Sequence, residues 1–287
     1  MGATYVLTVL AVVFWGANFP LAGLVVHDIQ PLAGALGRFI LAALVMVPLA
    51  WMRGNTVPVM GRIRSLGVLG VTAGLFNVLF FNAMHMTSPV TGALVMATNP
   101  LVTALMAALF LGERPGVRQM MAVPLAFAGV ATVVLGAGAR LSLSPGDGLM
   151  LVADLVWGGY NVLVRRLMPT GNSLGNTAVL MIWAAITLGV AVILAGVPLA
   201  MPGPRAAISL LVMAVAGTVF AYLFYNAGLV RLGAAKGALF LNLVPVAAMS
   251  ISAVLGTPPT ALQMAGGLVV ICAVTFAMAP GGKRAAV

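Results

Sequence analysis

Charge is almost missing from this chain. Only 6% of its 287 residues are Asp, Glu, Lys or Arg, and only four of those are acidic. A soluble domain carries roughly 25% charged residues, so this composition excludes a water-exposed surface. Cysteine is nearly absent too: Cys272 stands alone, which excludes an internal disulfide and leaves the redox compartment unread. The four carboxylates, Asp28, Glu113, Asp147 and Asp154, do not pair at helical spacing. With two histidines and one cysteine besides, there is little raw material for a metal site or a two-carboxylate mechanism. A His-Glu-x-x-His segment, a Gly-x-Ser-x-Gly elbow and a phosphate-binding glycine loop are also lacking. An enzyme is therefore not expected, and neither a cofactor nor a metal.

What is there is apolar. Hydrophobic residues make up 62% of the chain and the mean hydropathy is +1.16. Spanning helices need about 20 mostly apolar residues each. The apolar runs predict ten, near 4–25, 31–52, 65–84, 89–111, 117–136, 147–166, 174–196, 206–230, 234–255 and 260–280. Runs such as Leu41–Met52 do not alternate, which excludes a β-barrel. The fold class expected is an all-α membrane protein, with the lipid bilayer as its surroundings. No basic n-region or small-residue cleavage site flags the first run as a removed signal.

The net charge of +10 reads as topology. With ten spans, the side holding the N-terminus (side A) receives Arg53, Arg62, Arg64, Arg114, Arg118, Arg165, Arg166, Arg231, Lys236, Lys283 and Arg284. The opposite side B receives Arg140 and Arg205. The positive-inside rule then puts both termini in the cytoplasm. No basic cluster is long enough, or interleaved with aromatics, to suggest nucleic acid.

The chain also repeats itself. Gly92–Pro100, GALVMATNP, is answered by Gly237–Pro245, GALFLNLVP. Phe80–Ala83 is answered by Phe224–Ala227, and Leu111–Met120 by Leu255–Met264. Phe14–Asn18 is answered more loosely by Val156–Asn161. The offsets are 142 to 145 residues, about half the chain. Two homologous halves follow, residues 1–140 and 141–287, with five spans each. An odd count inverts the second half, giving two inverted five-helix repeats around a central cavity, an architecture of transporters. Pro100 and Pro245 are expected to kink spans four and nine at equivalent points. Freed backbone at that depth is tolerated only inside protein or beside a water-filled cavity.

On FWGANFP (Phe14–Pro20), LGRFILAALVMVPLA (Leu36–Ala50), Gly92–Gln119 and Phe220–Val246, the chain resembles the drug/metabolite transporter superfamily, EamA type. Within it, it is similar to the YddG-type amino acid exporters of bacteria. The resemblance implies ten helices, inverted repeats and export of small metabolites across the inner membrane. One departure is Thr257, where the first half has Glu113.

Polar residues within spans are the candidates for binding a small-molecule substrate. Trp15 and Asn18 share a face of span one; Trp157, Tyr160 and Asn161 share one of span six. Asn77, Phe81 and His85 follow each other at four-residue steps on span three. Met96 and Asn99 flank the first kink, Asn242 precedes the second, and Tyr222 and Tyr225 lie on span eight. Aromatic rings with amides suit a zwitterion bearing an apolar side chain; interfacial anchoring and helix-to-helix bonding are the plainer readings. Arg38 and Asp154 sit about 10 Å from side B at 1.5 Å per residue, at equal depth with opposite sign, so an ion pair or a coupling role is open to them. Glu113 is expected to cap span five or to pair with Arg114 or Arg118.

The expected function is export of small amphipathic metabolites, first of all aromatic or apolar amino acids, by alternating access, in a monomer or weak homodimer. The site is expected between spans 1, 3, 4, 6, 8 and 9. A hydrophobic-drug or lipid-like cargo on the same fold is the alternative, and a channel or receptor the alternative of another class.

Overall fold

A computed structural model describes residues 2–54, 60–87, 89–136, 138 and 144–279. Arg140, Lys283, Arg284 and the expected boundary between residues 140 and 141 lie outside the described residues. Among the described residues ten helices are long and apolar enough to cross a membrane: α1 (Gly2–Val26), α2 (Pro31–Met52), α3 (Arg62–Met86), α4 (Thr91–Leu111), α5 (Val117–Leu135), α6 (Pro145–Leu167), α7 (Ser173–Leu194), α8 (Pro204–Leu232), α9 (Ala234–Val254) and α10 (Ala261–Met278). They match the apolar runs to within a few residues, and the described residues contain no strand. Leu44, Leu109, Phe110, Ile193 and Leu268 are exposed, as side chains facing hydrocarbon are.

The ends of the spans carry local signals. Pro31, Pro145 and Pro204 open α2, α6 and α8, where a missing N–H costs nothing. Asp147 starts α6: its Oδ2 accepts from the Ser144 N–H at 2.7 Å, and its Oδ1 accepts from the Thr87 hydroxyl. Thr260 and Gln263 cap α10 reciprocally, at 3.2 and 2.9 Å. In the α1–α2 connection Asp28 accepts from the Gly203 N–H at 2.8 Å. Its hydrogen bond with His27, together with that N–H, holds the Asp28 carboxyl below the usual carboxylate range.

The interior is packed from Phe39, Met46, Leu66, Leu69, Leu180, Met181 and Leu188, all fully buried where α2, α3 and α7 meet. The pairings form a regular set. α1 packs on α8 and α9; α6 packs on α3 and α4; α2 pairs with α7, and α5 with α10. Exchanging the first five spans for the last five maps this set onto itself.

Three spans are irregular. The helix of α4 ends at Met96 and resumes at Asn99, two residues after a turn at Ala97–Thr98 begins and just before Pro100. In α9 a 3₁₀ turn, Phe240–Leu243, precedes Pro245. Each proline lacks the N–H that would bond the carbonyl four residues back. In α8 a π-helical turn occupies Val215–Phe220. The Trp15 indole N–H reaches the Gly217 carbonyl at 3.0 Å, so α1 docks on that turn. A Cβ on Gly217 would meet the Asn18 side chain at 2.1 Å.

The α5–α10 pair is built on close backbone approach, the usual basis of helix packing in lipid. A Cβ on Gly266 would lie 2.7 Å from both the Gly129 carbonyl oxygen and the Val133 nitrogen. Both are backbone atoms and cannot swing aside. Overpacking of this kind costs about 1–3 kcal/mol. Gly266→Val is therefore expected to lower the thermal unfolding midpoint of the detergent-purified protein. A midpoint equal to the parent's would show that the two backbones are not in contact.

Candidate functional site

A cavity of about 520 Å³ lies at the centre of the bundle. Small-molecule sites commonly enclose ~300–1,000 Å³. Along α1 its wall runs from Trp15 through Asn18, Ala22 and Gly23 to Val26, the last residue of the helix. Pro31 at the start of α2 and the exposed His85 near the end of α3 also line it. These three ends lie on side B, so the cavity opens there. Both helix breaks face it, through Met96 and Ala97 of α4 and Leu241, Asn242, Val244 and Pro245 of α9.

Most of the wall is apolar: Phe19, Phe76, Phe80, Phe81, Met84 and Met96. The floor is aromatic. Trp15 and Trp157 meet edge to face at 5.8 Å, Phe76 lies 4.6 Å from Trp157, and Tyr222 stands edge-on to Trp15 at 5.8 Å. Such pairs contribute beyond the area they bury. Two polar groups stand out against this background. Arg38 Nη2 donates to Asn77 Oδ1 at 2.9 Å, while its buried Nε has no protein partner. Asn242 is 2% exposed and lines the cavity, yet neither its Nδ2 nor its Oδ1 is paired. Buried polar atoms are almost always hydrogen-bonded, so unpaired ones at a cavity wall are positions for a ligand to satisfy. No carboxylate is among the lining residues.

Of the residues expected from sequence, Trp15, Asn18, Asn77, Phe81, His85, Met96, Trp157, Tyr222 and Asn242 line the cavity, as does Pro245. Asn99, Tyr160, Asn161 and Tyr225 do not: the structure buries them below the floor, on the side A flank. Their polar atoms are taken up by one another and by Thr103, Asp154 and Asn226. Asn161 Nδ2 donates to Asn99 Oδ1 at 3.1 Å and to Thr103 Oγ1 at 3.0 Å. Tyr225 donates to Asn161 Oδ1 at 3.2 Å, and Tyr160 to Asn226 Oδ1 at 2.9 Å. Tyr160 stacks on Trp157 at 4.7 Å, which seals the layer. Pro100 is likewise buried away from the cavity.

The ion pair between Arg38 and Asp154 is not formed. Equal depth did not bring the two groups together, because each is oriented by neighbours on its own side. Arg38 turns into the cavity toward Asn77 of α3. Asp154 is 1% exposed and turns to the break in α4. There Asn99 Nδ2 donates to Asp154 Oδ1 at 2.8 Å, and Thr98 Oγ1 lies 3.0 Å from Oδ2. Span two, through Arg38, thus joins the six expected spans around the cavity. Thr98 and Thr103 were not anticipated, whereas Asn226 shares a face of span eight with Tyr222 by its spacing; the four-residue spacing of Asn99 and Thr103 beside Pro100 was the available signal.

On side A the bundle is closed. Glu113, in the α4–α5 connection, pairs with Arg165 Nε at 3.2 Å. It also lies 3.4 and 3.5 Å from the Ala234 and Ala235 nitrogens at the start of α9. Arg165 Nη1 donates to the Val230 carbonyl of α8. One carboxylate therefore ties α6, α8 and α9 together, where sequence had suggested a cap on α5 or a pair with Arg114 or Arg118. Anions at a helix start are favourable.

The family model of the EamA-like transporter family matches residues 2–135 and 144–279. The uncharacterized transporter YyaM of Bacillus subtilis (strain 168) is 34% identical over 280 residues, covering 92% of this chain and 90% of that protein. A probable terminal-alkyne amino-acid exporter of Streptantibioticus cattleyicolor is 27% identical, covering 93% and 90%. The uncharacterized inner membrane transporter YedA of Escherichia coli (strain K12) is 25% identical, covering 85% and 80%. A solved protein structure with 18% identity superposes with a TM-score of 0.80 over 97% of both chains, so the fold is shared.

The side A closure yields a labelling test in a Cys272→Ser background, which removes the exposed native thiol. Ala234 is fully buried beside Glu113. A half-exposed ion pair contributes at most about 1 kcal/mol. With a cysteine at position 234, Glu113→Gln is expected to raise the rate of impermeant maleimide labelling up to about fivefold. An unchanged rate would mean that Glu113 does not hold side A shut.

Proposed function

Since the chain belongs to the EamA-like transporter family, it is a multi-pass membrane transporter, and we propose that it exports small amphipathic metabolites, amino acids with apolar or aromatic side chains first. One observation carries this reading. A chamber walled by aromatics and methionines holds a single guanidinium with an unpaired nitrogen, an amide with both ends unpaired, and no carboxylate. In this reading Arg38 receives the substrate carboxylate. Asn242 Oδ1 and the Trp15 ring receive the ammonium, and Phe76, Phe80 and Phe81 enclose the side chain. A lipid-like cargo would leave Arg38 buried without a counter-charge, which is costly. The name of the Streptantibioticus relative, a probable amino-acid exporter, agrees with this choice.

The transport cycle is alternating access between two inverted repeats, residues 1–140 and 141–287. The family model matches once over each half. Five spans per half put α1 and α6 in opposite senses, and the helix pairings survive exchange of the halves. The structure corresponds to a side-B-open state. Charge distribution assigns side A, with both termini, to the cytoplasm of a bacterial inner membrane. Loading from the cytoplasm then requires release of the Glu113 closure.

Uptake of labelled amino acids into proteoliposomes tests the substrate. Saturable flux of leucine or phenylalanine is expected. Hydrogen bonds to charged groups are worth about 1.5–3 kcal/mol, and 1.4 kcal/mol is a tenfold change. Arg38→Gln should therefore weaken apparent affinity about ten- to a hundredfold, and the amides of the same amino acids should compete equally well against both forms. Absence of flux for every amino acid in the panel, or an Arg38→Gln variant with unchanged affinity, would refute the assignment.

A further inference from the structure

We propose that Asp154 is a proton-carrying site: its carboxyl group is neutral in this side-B-open conformation, and loss of its proton to water couples the transporter to a proton gradient. The inference uses the transporter fold and does not depend on which metabolite is carried.

It rests on a count of hydrogens. Thr98 Oγ1 lies 2.7 Å from the Val95 carbonyl oxygen and 3.0 Å from Asp154 Oδ2. A hydroxyl has one hydrogen to give and cannot serve both oxygens fully. The shorter contact runs along the chain to Val95, the residue three back, and takes that hydrogen. The contact with Asp154 is then complete only if Oδ2 carries a hydrogen and donates it to Thr98. The rest of the network offers no alternative donor. Asn99 spends both Nδ2 hydrogens on Asp154, one on its backbone oxygen at 3.0 Å and one on Oδ1 at 2.8 Å. Asn99 Oδ1 is occupied by Thr103 at 3.1 Å and Asn161 at 3.1 Å.

Electrostatics agree with the count. Asp154 is 1% exposed at membrane depth, where an unpaired ion is expensive. The elements packed on α6 are α3, α4, α8 and α9. α3 carries His85 at the rim and Arg62 and Arg64 at its side A end; α4 carries no titratable group within the span. α8 brings Arg205 at its side B start, Tyr222, Tyr225 and Arg231, and α9 brings Lys236, while α6 itself adds Asp147, Tyr160, Arg165 and Arg166. Among the described residues, none of these makes an ion pair or hydrogen bond with Asp154. Arg38, the one cation in the cavity, is engaged with Asn77.

The location supplies the coupling. Asp154 bridges α6 to the interrupted turn of α4, where the helix breaks at Ala97–Thr98 and Pro100 lacks an N–H to give. When that turn moves and water reaches the carboxyl group, the Oδ2–H bond breaks and its proton passes to water. The carboxylate left behind accepts the Thr98 hydroxyl hydrogen, released from the Val95 carbonyl. Rebinding a proton reverses both exchanges.

Infrared difference spectroscopy of the purified full-length protein between neutral and alkaline pH tests the protonation. A C=O stretch of a protonated carboxyl group is expected at neutral pH, lost on alkalinisation and missing in Asp154→Asn. Absence of that band in the parent at neutral pH, or its persistence in Asp154→Asn, overturns the proposal. Asn at this position can donate to Thr98 as the protonated acid does, so the variant is expected to fold with an unchanged unfolding midpoint. In proteoliposomes a gradient of one pH unit can drive up to about tenfold accumulation per proton. The parent should accumulate leucine or phenylalanine under such a gradient, and Asp154→Asn should exchange them to a ratio of about one regardless of it. Flux in the parent that ignores the gradient overturns the coupling. Absence of amino acid flux refutes the substrate reading instead, and the infrared result still decides the proton site.

Discussion

In hydrocarbon a helix can be interrupted only where other groups receive what its backbone releases. That constraint organises this molecule. α4 and α9 are broken at equivalent places by Pro100 and Pro245, and both breaks turn toward the same interior space. On the side B flank of that plane the freed surface lines a cavity. On the side A flank it is met by a layer of asparagines, threonines and tyrosines linked by side-chain hydrogen bonds. The aromatic floor of Trp15, Trp157 and Tyr222 is the boundary between the two. An unbroken α4 would carry Asn99 and Thr98 on a regular helix surface, and Asp154 would lose the turn that receives it.

The two faces of the bundle are held differently. Side A is closed by Glu113, which gathers Arg165 and the start of α9. The second half has Thr257 in the corresponding place, so the same device is not available to close side B. The cavity reaches the side B ends of α1, α2 and α3, while Glu113 ties the side A ends together. The same asymmetry gives the cavity one cation, Arg38 on α2, with no counterpart of its kind in α7.

The architecture was legible in sequence because its cause is compositional. Apolar runs of about 20 residues have one stable arrangement in lipid, and the prolines at 100 and 245 announce the breaks without any tertiary information. The side chains around the cavity were legible by helical spacing: Trp15 with Asn18, and Asn77 with Phe81 and His85, each share a face. Spacing fixes a face and a depth, not what lies opposite. Tyr160 and Asn161 share a face with Trp157 but sit a turn deeper, below the floor. Arg38 and Asp154 agree in depth and differ in direction, since Asn77 draws one and the α4 turn draws the other. Glu113 finds its partners 52 and 121 residues away, beyond the reach of local pattern. The π turn of α8 was hidden too, because it is completed by Trp15 from another helix.

The central claim is a single chamber that faces one side at a time. Spin-label distances measured on pairs spanning the side A and side B openings, in a Cys272→Ser background, test it most directly. A population in which the side A pair lengthens while the side B pair shortens is predicted, with its share rising in Glu113→Gln. Both openings widening together, or a side B distance that stays fixed while side A opens, would contradict it and point to a channel.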